Sequence, residues 1–161
     1  MKADQLIQNI RTKLGADWLP ELYSSRVRSQ RTRSHRIDIA PREHLPEILY
    51  TLLGIELKVG KVRFQCPDLA TARYMRIFAR LGIAEFAVPY DISRISAIAD
   101  DLETSWRRGL LILMQESEGS SDRSRSVLRR ALIKEIRNEI EAVGPGEKMP
   151  KFDRETRQRK S

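Results

Sequence analysis

The chain has a single cysteine, Cys66, two histidines, His35 and His44, and aromatic residues at only 6% of its 161 positions. One thiol excludes intramolecular disulfides and cysteine-rich zinc sites, and it makes a reducing cytoplasm the expected compartment. Two histidines leave any metal site to rest mainly on carboxylates. Continuous apolar sequence is scarce as well. The longest run, Leu110 to Met114, is five residues, whereas a membrane span needs about twenty. The opening MKADQLIQNI interleaves polar and apolar positions and lacks the apolar stretch of a secretory signal. A glycine-rich phosphate loop, a zinc-ligand pattern and an internal repeat are all missing, so no cofactor is expected. A soluble intracellular protein is the expectation from these absences.

What the chain does have is arginine. Its net charge is +8, and that charge is unevenly spread. Residues 1–21 are neutral, residues 22–43 carry +4, residues 44–118 carry −1 and residues 119–161 carry +5. A nearly neutral centre between two basic segments is the pattern of arms that meet a polyanion. The length suits one domain, expected as an N-terminal helix and arginine-rich segment (1–43), a central α/β core (44–118), a linker with a C-terminal helix (119–146) and an unfolded basic tail (147–161).

Leu6, Ile7, Ile10 and Leu14 recur at helical spacing before Gly15, which predicts an amphipathic helix over 3–14. Residues 26–36 have too little apolar content to predict a core element. Pro46 suits the first turn of a helix carrying Ile48, Leu49, Leu52 and Leu53, closed by Gly54. Next, Ile55, Leu57 and Val59, then Val62, Phe64 and Cys66, alternate with polar residues around Gly60 and Lys61. Two period-two runs joined by a two-residue loop with glycine first predict a β-hairpin. Asp68 and Gly82 bracket a helix over 69–81, and Ile83 to Pro89 is rich in strand formers. Asp91 is suited to cap the following helix. Ile92, Ile95, Ala99, Leu102, Trp106, Leu110 and Leu113 keep one seam through Gly109, which favours a single long helix to about Met114 over a separate strand at 110–114. Residues 117–126 read as a linker, and Leu128, Leu132, Ile136, Ile140 and Val143 as a last helix ended by Gly144, Pro145 and Gly146. The predicted fold class is α/β of the α+β type, a ββαβα core with flanking helices and basic arms.

Two arginine groups are candidate polyanion contacts. Arg26, Arg28, Arg31, Arg33 and Arg36 stand in a stretch free of acidic residues, and guanidinium groups grip phosphate bidentately at any physiological pH. Arg73, Arg76 and Arg80 fall within an arc of about 60° on the predicted helix, where the alternative is an ordinary solvated helix exterior. The expected function is a non-enzymatic nucleic-acid-binding accessory protein, with RNA slightly ahead of DNA. The alternative is an interaction or assembly factor docking on an acidic partner or large complex. The seam of Ile92, Ile95, Ala99, Leu102 and Trp106 suits packing within the chain, and also a second copy.

Glu56, Leu57 and Lys58, with Asp38 upstream, resemble the metal and lysine arrangement of restriction-endonuclease-like nucleases. The resemblance covers these few residues and implies a metal-dependent nuclease using Glu56 and Lys58. Alternating charge on a half-exposed strand accounts for both residues equally well. Asp68 and Asp91 read as helix caps, and Cys66 as a small core residue rather than a nucleophile.

Overall fold

A computed structural model describes residues 2–146 of the chain, so the basic tail expected at 147–161 lies outside the described residues. Helix α1 spans Ala3–Leu14 and ends at Gly15; α2 is one turn, Leu19–Leu22, with Pro20 at its start, and a π-helical turn follows over Tyr23–Val27. The described residues form five strands: β1 (Thr32–Arg36), β2 (Glu47–Thr51), β3 (Gly54–Val59), β4 (Val62–Cys66) and β5 (Glu85–Pro89). Helix α3 (Leu69–Leu81) lies between β4 and β5, and α4 (Ile95–Glu116) and α5 (Asp122–Val143) follow. The mixed helix and strand content is that of the α+β class.

The strands make two antiparallel sheets. One has the order β2-β3-β4, and the other pairs β1 with β5. The predicted hairpin has Val59 opposite Val62 and Leu57 opposite Phe64, and Gly60 takes the positive φ of 61° that a two-residue turn with glycine first demands. Leu57, Val59 and Cys66 are buried beneath it. The helix over 69–81 is capped by Asp68, whose carboxylate accepts the Thr71 N–H at 2.7 Å, and closed by Gly82. Asp91 accepts the Ser93 N–H at 3.1 Å and so caps a 3-10 turn just ahead of α4. Residues 110–114 are helical, and the seam passes Gly109 because α1 approaches there: a Cβ on Gly109 would stand 3.9 Å from Ile10 and Leu14.

Three expectations are corrected. Residues 47–51 form a strand rather than a helix. Leu52 and Leu53, which completed the helical spacing, sit exposed on the turn, while Ile48 and Tyr50 pair across to Leu57 and Ile55. An apolar run this short fits either period, and the neighbouring strand decides between them. Residues 32–36 also form a strand. Its apolar complement comes from β5, since Arg33 lies opposite Val88 and His35 opposite Phe86. The linker is shorter than expected because Ser121 caps α5 by accepting the Ser124 N–H at 3.1 Å, which makes residues 122–126 helical.

The apolar side chains of the described residues form one continuous core that includes α1 and α5. Leu6, Ile10, Trp18, Tyr23 and Leu132 are as deeply buried as Leu57 or Phe78. Helix α3 packs against α4 on one side and against the three-stranded sheet on another, while Tyr74 and Phe78 meet Phe86 of the small sheet, with Phe78 and Phe86 stacked 4.3 Å apart. Of the seam considered for a second copy, Ile95, Ala99, Leu102 and Trp106 are buried within the chain, and only Ile92 is exposed.

Tyr23 ties these parts together. Its hydroxyl accepts the Ala87 N–H at 2.9 Å and donates to the Gly144 carbonyl at 2.7 Å, while the Tyr74 hydroxyl donates to the Ala87 carbonyl at 2.6 Å. Both backbone groups of Ala87 therefore point away from β1, and two tyrosines close that edge of β5. Replacing Tyr23 with Phe leaves a buried N–H unpaired, so a loss of about 1–3 kcal/mol is expected. Urea unfolding of Tyr23→Phe beside wild type measures it.

Candidate polyanion-binding flank and an arginine-lined cleft

The two predicted arginine groups are built into the fold in different ways. In the first, Arg26 lies on the π-helical turn, 3.9 Å from Asp101. Arg28 donates to the Thr32 hydroxyl at 2.9 Å, and Arg31 covers the Tyr90 ring at 4.9 Å. Arg33 and Arg36 project from β1, and among the described residues Arg36 has only Glu85 at 4.0 Å. In the second, Arg73 and Arg76 are engaged with acidic residues of α4. Arg73 donates to Asp100 and, at 3.0 Å, to Glu103, and Arg76 donates to Glu103 at 2.9 Å. Arg107 adds a longer contact to Glu103 at 3.9 Å. Burial pushes the Glu103 carboxyl up, but the hydrogen bonds and charges of Arg73 and Arg76 outweigh it and hold the group below the ordinary glutamate range.

Arg80 differs from its neighbours on α3. Among the described residues it makes no ion pair, and its pKa is lowered, first by burial and then by the charges of Arg76, Arg107 and Arg129, with Glu103 opposing. Arg129 pairs with Glu43 at 2.6 Å, and the Nε atoms of Arg76 and Arg129 are buried without a partner among the described residues. Beside this group the loop over 40–44 meets α5 at a hollow of about 390 Å³ lined by Arg42, Arg130, Lys134 and Arg137. The His44 N–H donates to the Arg80 carbonyl at 3.3 Å, and Arg137 donates to the Leu81 carbonyl at 3.1 Å, so loop, α3 and α5 are joined at the C-terminal end of α3. Among the described residues eight cations gather there, Arg42, Arg76, Arg80, Arg107, Arg129, Arg130, Lys134 and Arg137, with two carboxylates, Glu43 and Glu103. Arg76 and Arg80 belong to the predicted stripe. The other six escaped sequence reading, although Arg130, Lys134 and Arg137 carried a signal in their spacing of four and three on one helix.

The remaining arginines of β1 line a second feature, a cleft of about 550 Å³ between the two sheets. Its floor is apolar, with Ile37, Phe64, Met75 and Val88, and Arg33, Arg36 and Arg63 stand around it. His35 also faces the cleft, its pKa lowered by burial and then by Arg33, so its ring is neutral at physiological pH.

The nuclease-like residues do not converge. Glu56 takes a hydrogen bond from Arg63 at 3.4 Å, Lys58 lies opposite Arg63, and Asp38 follows β1, which belongs to the other sheet. Among the described residues no three His, Cys, Asp or Glu side chains group in a way that could hold a metal. Cys66 is buried with its pKa raised by that burial, and its Sγ lies 3.9 Å from the Met75 sulfur, as suits a core residue. No helix among the described residues is long and apolar enough to cross a membrane. Comparison with protein-family models, with curated proteins and with solved structures gives no match to this chain.

Proposed function

We propose that the protein is a non-enzymatic nucleic-acid-binding accessory protein that holds a phosphate backbone against the flank formed by α3, α5 and the loop over 40–44. The observation that carries this reading is the environment of Arg80. Folding half-buries a guanidinium among three others, a costly arrangement in the absence of an anion. A phosphate diester lowers that cost directly, since guanidinium forks bind its oxygens in pairs. The hollow beside Arg80 continues the same charge along α5, which gives a backbone a track rather than a single point. With no aromatic ring among the described residues that line the hollow, contact is to the backbone, and little base preference follows.

Binding of single-stranded RNA and DNA oligonucleotides should weaken steeply with salt, because each phosphate neutralised releases counterions. The combined variant Arg80→Met, Arg130→Ala, Lys134→Ala removes three contacts. It should flatten the slope of log affinity against log salt by about 2 for a single strand. Fluorescence anisotropy across a salt series checks this. An unchanged slope, or no wild-type binding at low salt, would sink the proposal.

A further inference from the structure

The cleft between the sheets is bordered by β1 on one side and β4 on the other, each the end strand of its sheet. In an antiparallel pair, successive residues turn their backbone groups alternately toward and away from the partner. Along β4 the two-residue hairpin turns Val62, Phe64 and Cys66 toward β3, which leaves the N–H and C=O groups of Arg63 and Gln65 pointing outward. On β1, the bonds from the Tyr90 N–H to the Arg31 carbonyl and from the Ile37 N–H to the Ala84 carbonyl fix the phase. Arg33 and His35 therefore face β5, while Thr32, Ser34 and Arg36 present their backbone groups on the opposite edge. The far edge of β5 is closed by Tyr23 and Tyr74, so β1 supplies the open edge of its sheet. Among the described residues the outward groups of Ser34, Arg36, Arg63 and Gln65 have no backbone partner.

The cleft is lined by Arg63, Phe64 and Gln65 in succession, and by Arg33, His35, Arg36 and Ile37. Neighbouring residues on a strand point to opposite faces, so a space that touches both faces of β4 and of β1 lies along their edges. Thr71 and Met75 of α3 floor it between the two strands. Two open edges over an apolar floor are the requirements for adding a strand, with main-chain bonds supplying affinity and alternate side-chain sites supplying choice.

We propose that this cleft takes an extended acidic segment of another protein, which adds as a strand between β1 and β4 and joins the two sheets into one. Charge selects the occupant. Arg36 and Arg63 carry their charge on the outer face, where among the described residues Glu85 at 4.0 Å and Glu56 at 3.4 Å pair with them; Arg33 stands exposed at one end, and Asp68, the cap of α3, is the one carboxylate lining the cleft against these three arginines. Basic side chains along an edge repel a second copy of this basic chain, and the same side chains favour a strand whose outward residues are Asp or Glu. The inward residues meet Ile37, Phe64 and Met75 and should be apolar, so the recognised pattern alternates acidic and apolar residues. This site shares none of the eight cations of the flank, and the inference stands independently of nucleic-acid binding.

The probe is an acetylated, amidated octapeptide of alternating glutamate and valine, added to the full chain. Its binding should slow amide hydrogen exchange at Ser34, Arg36, Arg63 and Gln65. Methylating alternate backbone nitrogens of the peptide keeps its charge and side chains but removes the bonds to the edges, and should weaken binding at least about tenfold. A lysine and valine peptide should not bind wild type, and should bind the double variant Arg36→Glu, Arg63→Glu in place of the glutamate peptide. The proposal is overturned if the methylated peptide binds as tightly as the parent, or if the glutamate peptide fails to bind. It is equally overturned if an oligonucleotide, and not the peptide, protects these four amides. Because the methylated peptide is tested on the unaltered protein, a folding defect in the double variant cannot obscure the result.

Discussion

Gly82→Ala should unfold the basic flank and cost the protein about 3–5 kcal/mol, among the largest effects available to a single substitution. Two causes act at this position. Gly82 closes α3 with a φ of 75°, a left-handed conformation that costs another residue about 1 kcal/mol. The larger cause is steric. A Cβ on Gly82 would stand 2.6 Å from the Arg42 nitrogen and 2.7 Å from its carbonyl carbon, and would run into its carbonyl oxygen. These are backbone atoms with no rotamer through which to escape. Relief requires the loop over 40–44 to move away from α3, which withdraws the His44 N–H from the Arg80 carbonyl and strains the pair between Glu43 and Arg129. The two causes separate experimentally, since asparagine tolerates the left-handed conformation better than alanine but carries the same Cβ. Gly82→Asn and Gly82→Ala should therefore lose nearly equal stability in urea unfolding. A much milder asparagine variant would mean that strain, and not contact with Arg42, is what the glycine relieves.

That contact also marks the limit of what the sequence discloses. Gly82 was readable as a helix stop, because a left-handed terminus follows from local pattern alone. Its second role, admitting the Arg42 backbone, depends on a loop forty residues earlier in the chain and has no local trace. The same division holds elsewhere. The hairpin, the helix after Asp68 and the long helix through Gly109 were legible, since each is set by period and punctuation within its own segment. Strand β1 was not, because Arg33 and His35 become strand residues only when Val88 and Phe86 lie opposite them. The two arginine groups were visible as charge but not as geometry. Arg73 is committed to Asp100 and Glu103 from a separate helix, while Arg80, about two turns further on, meets Arg107 and Arg129. Periodicity places these three on one face, and only the neighbouring helices decide which of them is neutralised.

Glu103 is the carboxylate on which that neutralisation turns, and Glu103→Gln should cost about 3 kcal/mol, the usual consequence of removing one partner from a buried ionic group. Its side chain is 9% exposed and stands between Arg73 and Arg76, with Arg107 beyond. An amide retains one oxygen acceptor, so one guanidinium keeps its hydrogen bond while the other faces an NH₂ group; Arg76 and Arg107 lose their counter-charge, and Arg73 is left with Asp100. The dependence on pH follows from the direction of the shift. The folded-state pKa of Glu103 is depressed, so its contribution is complete above the ordinary glutamate value of about 4.3 and is lost as pH falls through the lower folded value. The stability difference between wild type and Glu103→Gln should therefore be greatest near neutrality and shrink in acid. Anions supply the link to function. Removing this charge leaves Arg73, Arg76, Arg80 and Arg107 without their central carboxylate, so added inorganic phosphate should raise the unfolding midpoint of the variant more than that of wild type. Equal shifts would mean that the released guanidinium groups are not disposed to hold phosphate, and would weaken the nucleic-acid reading at the site where it is most specific.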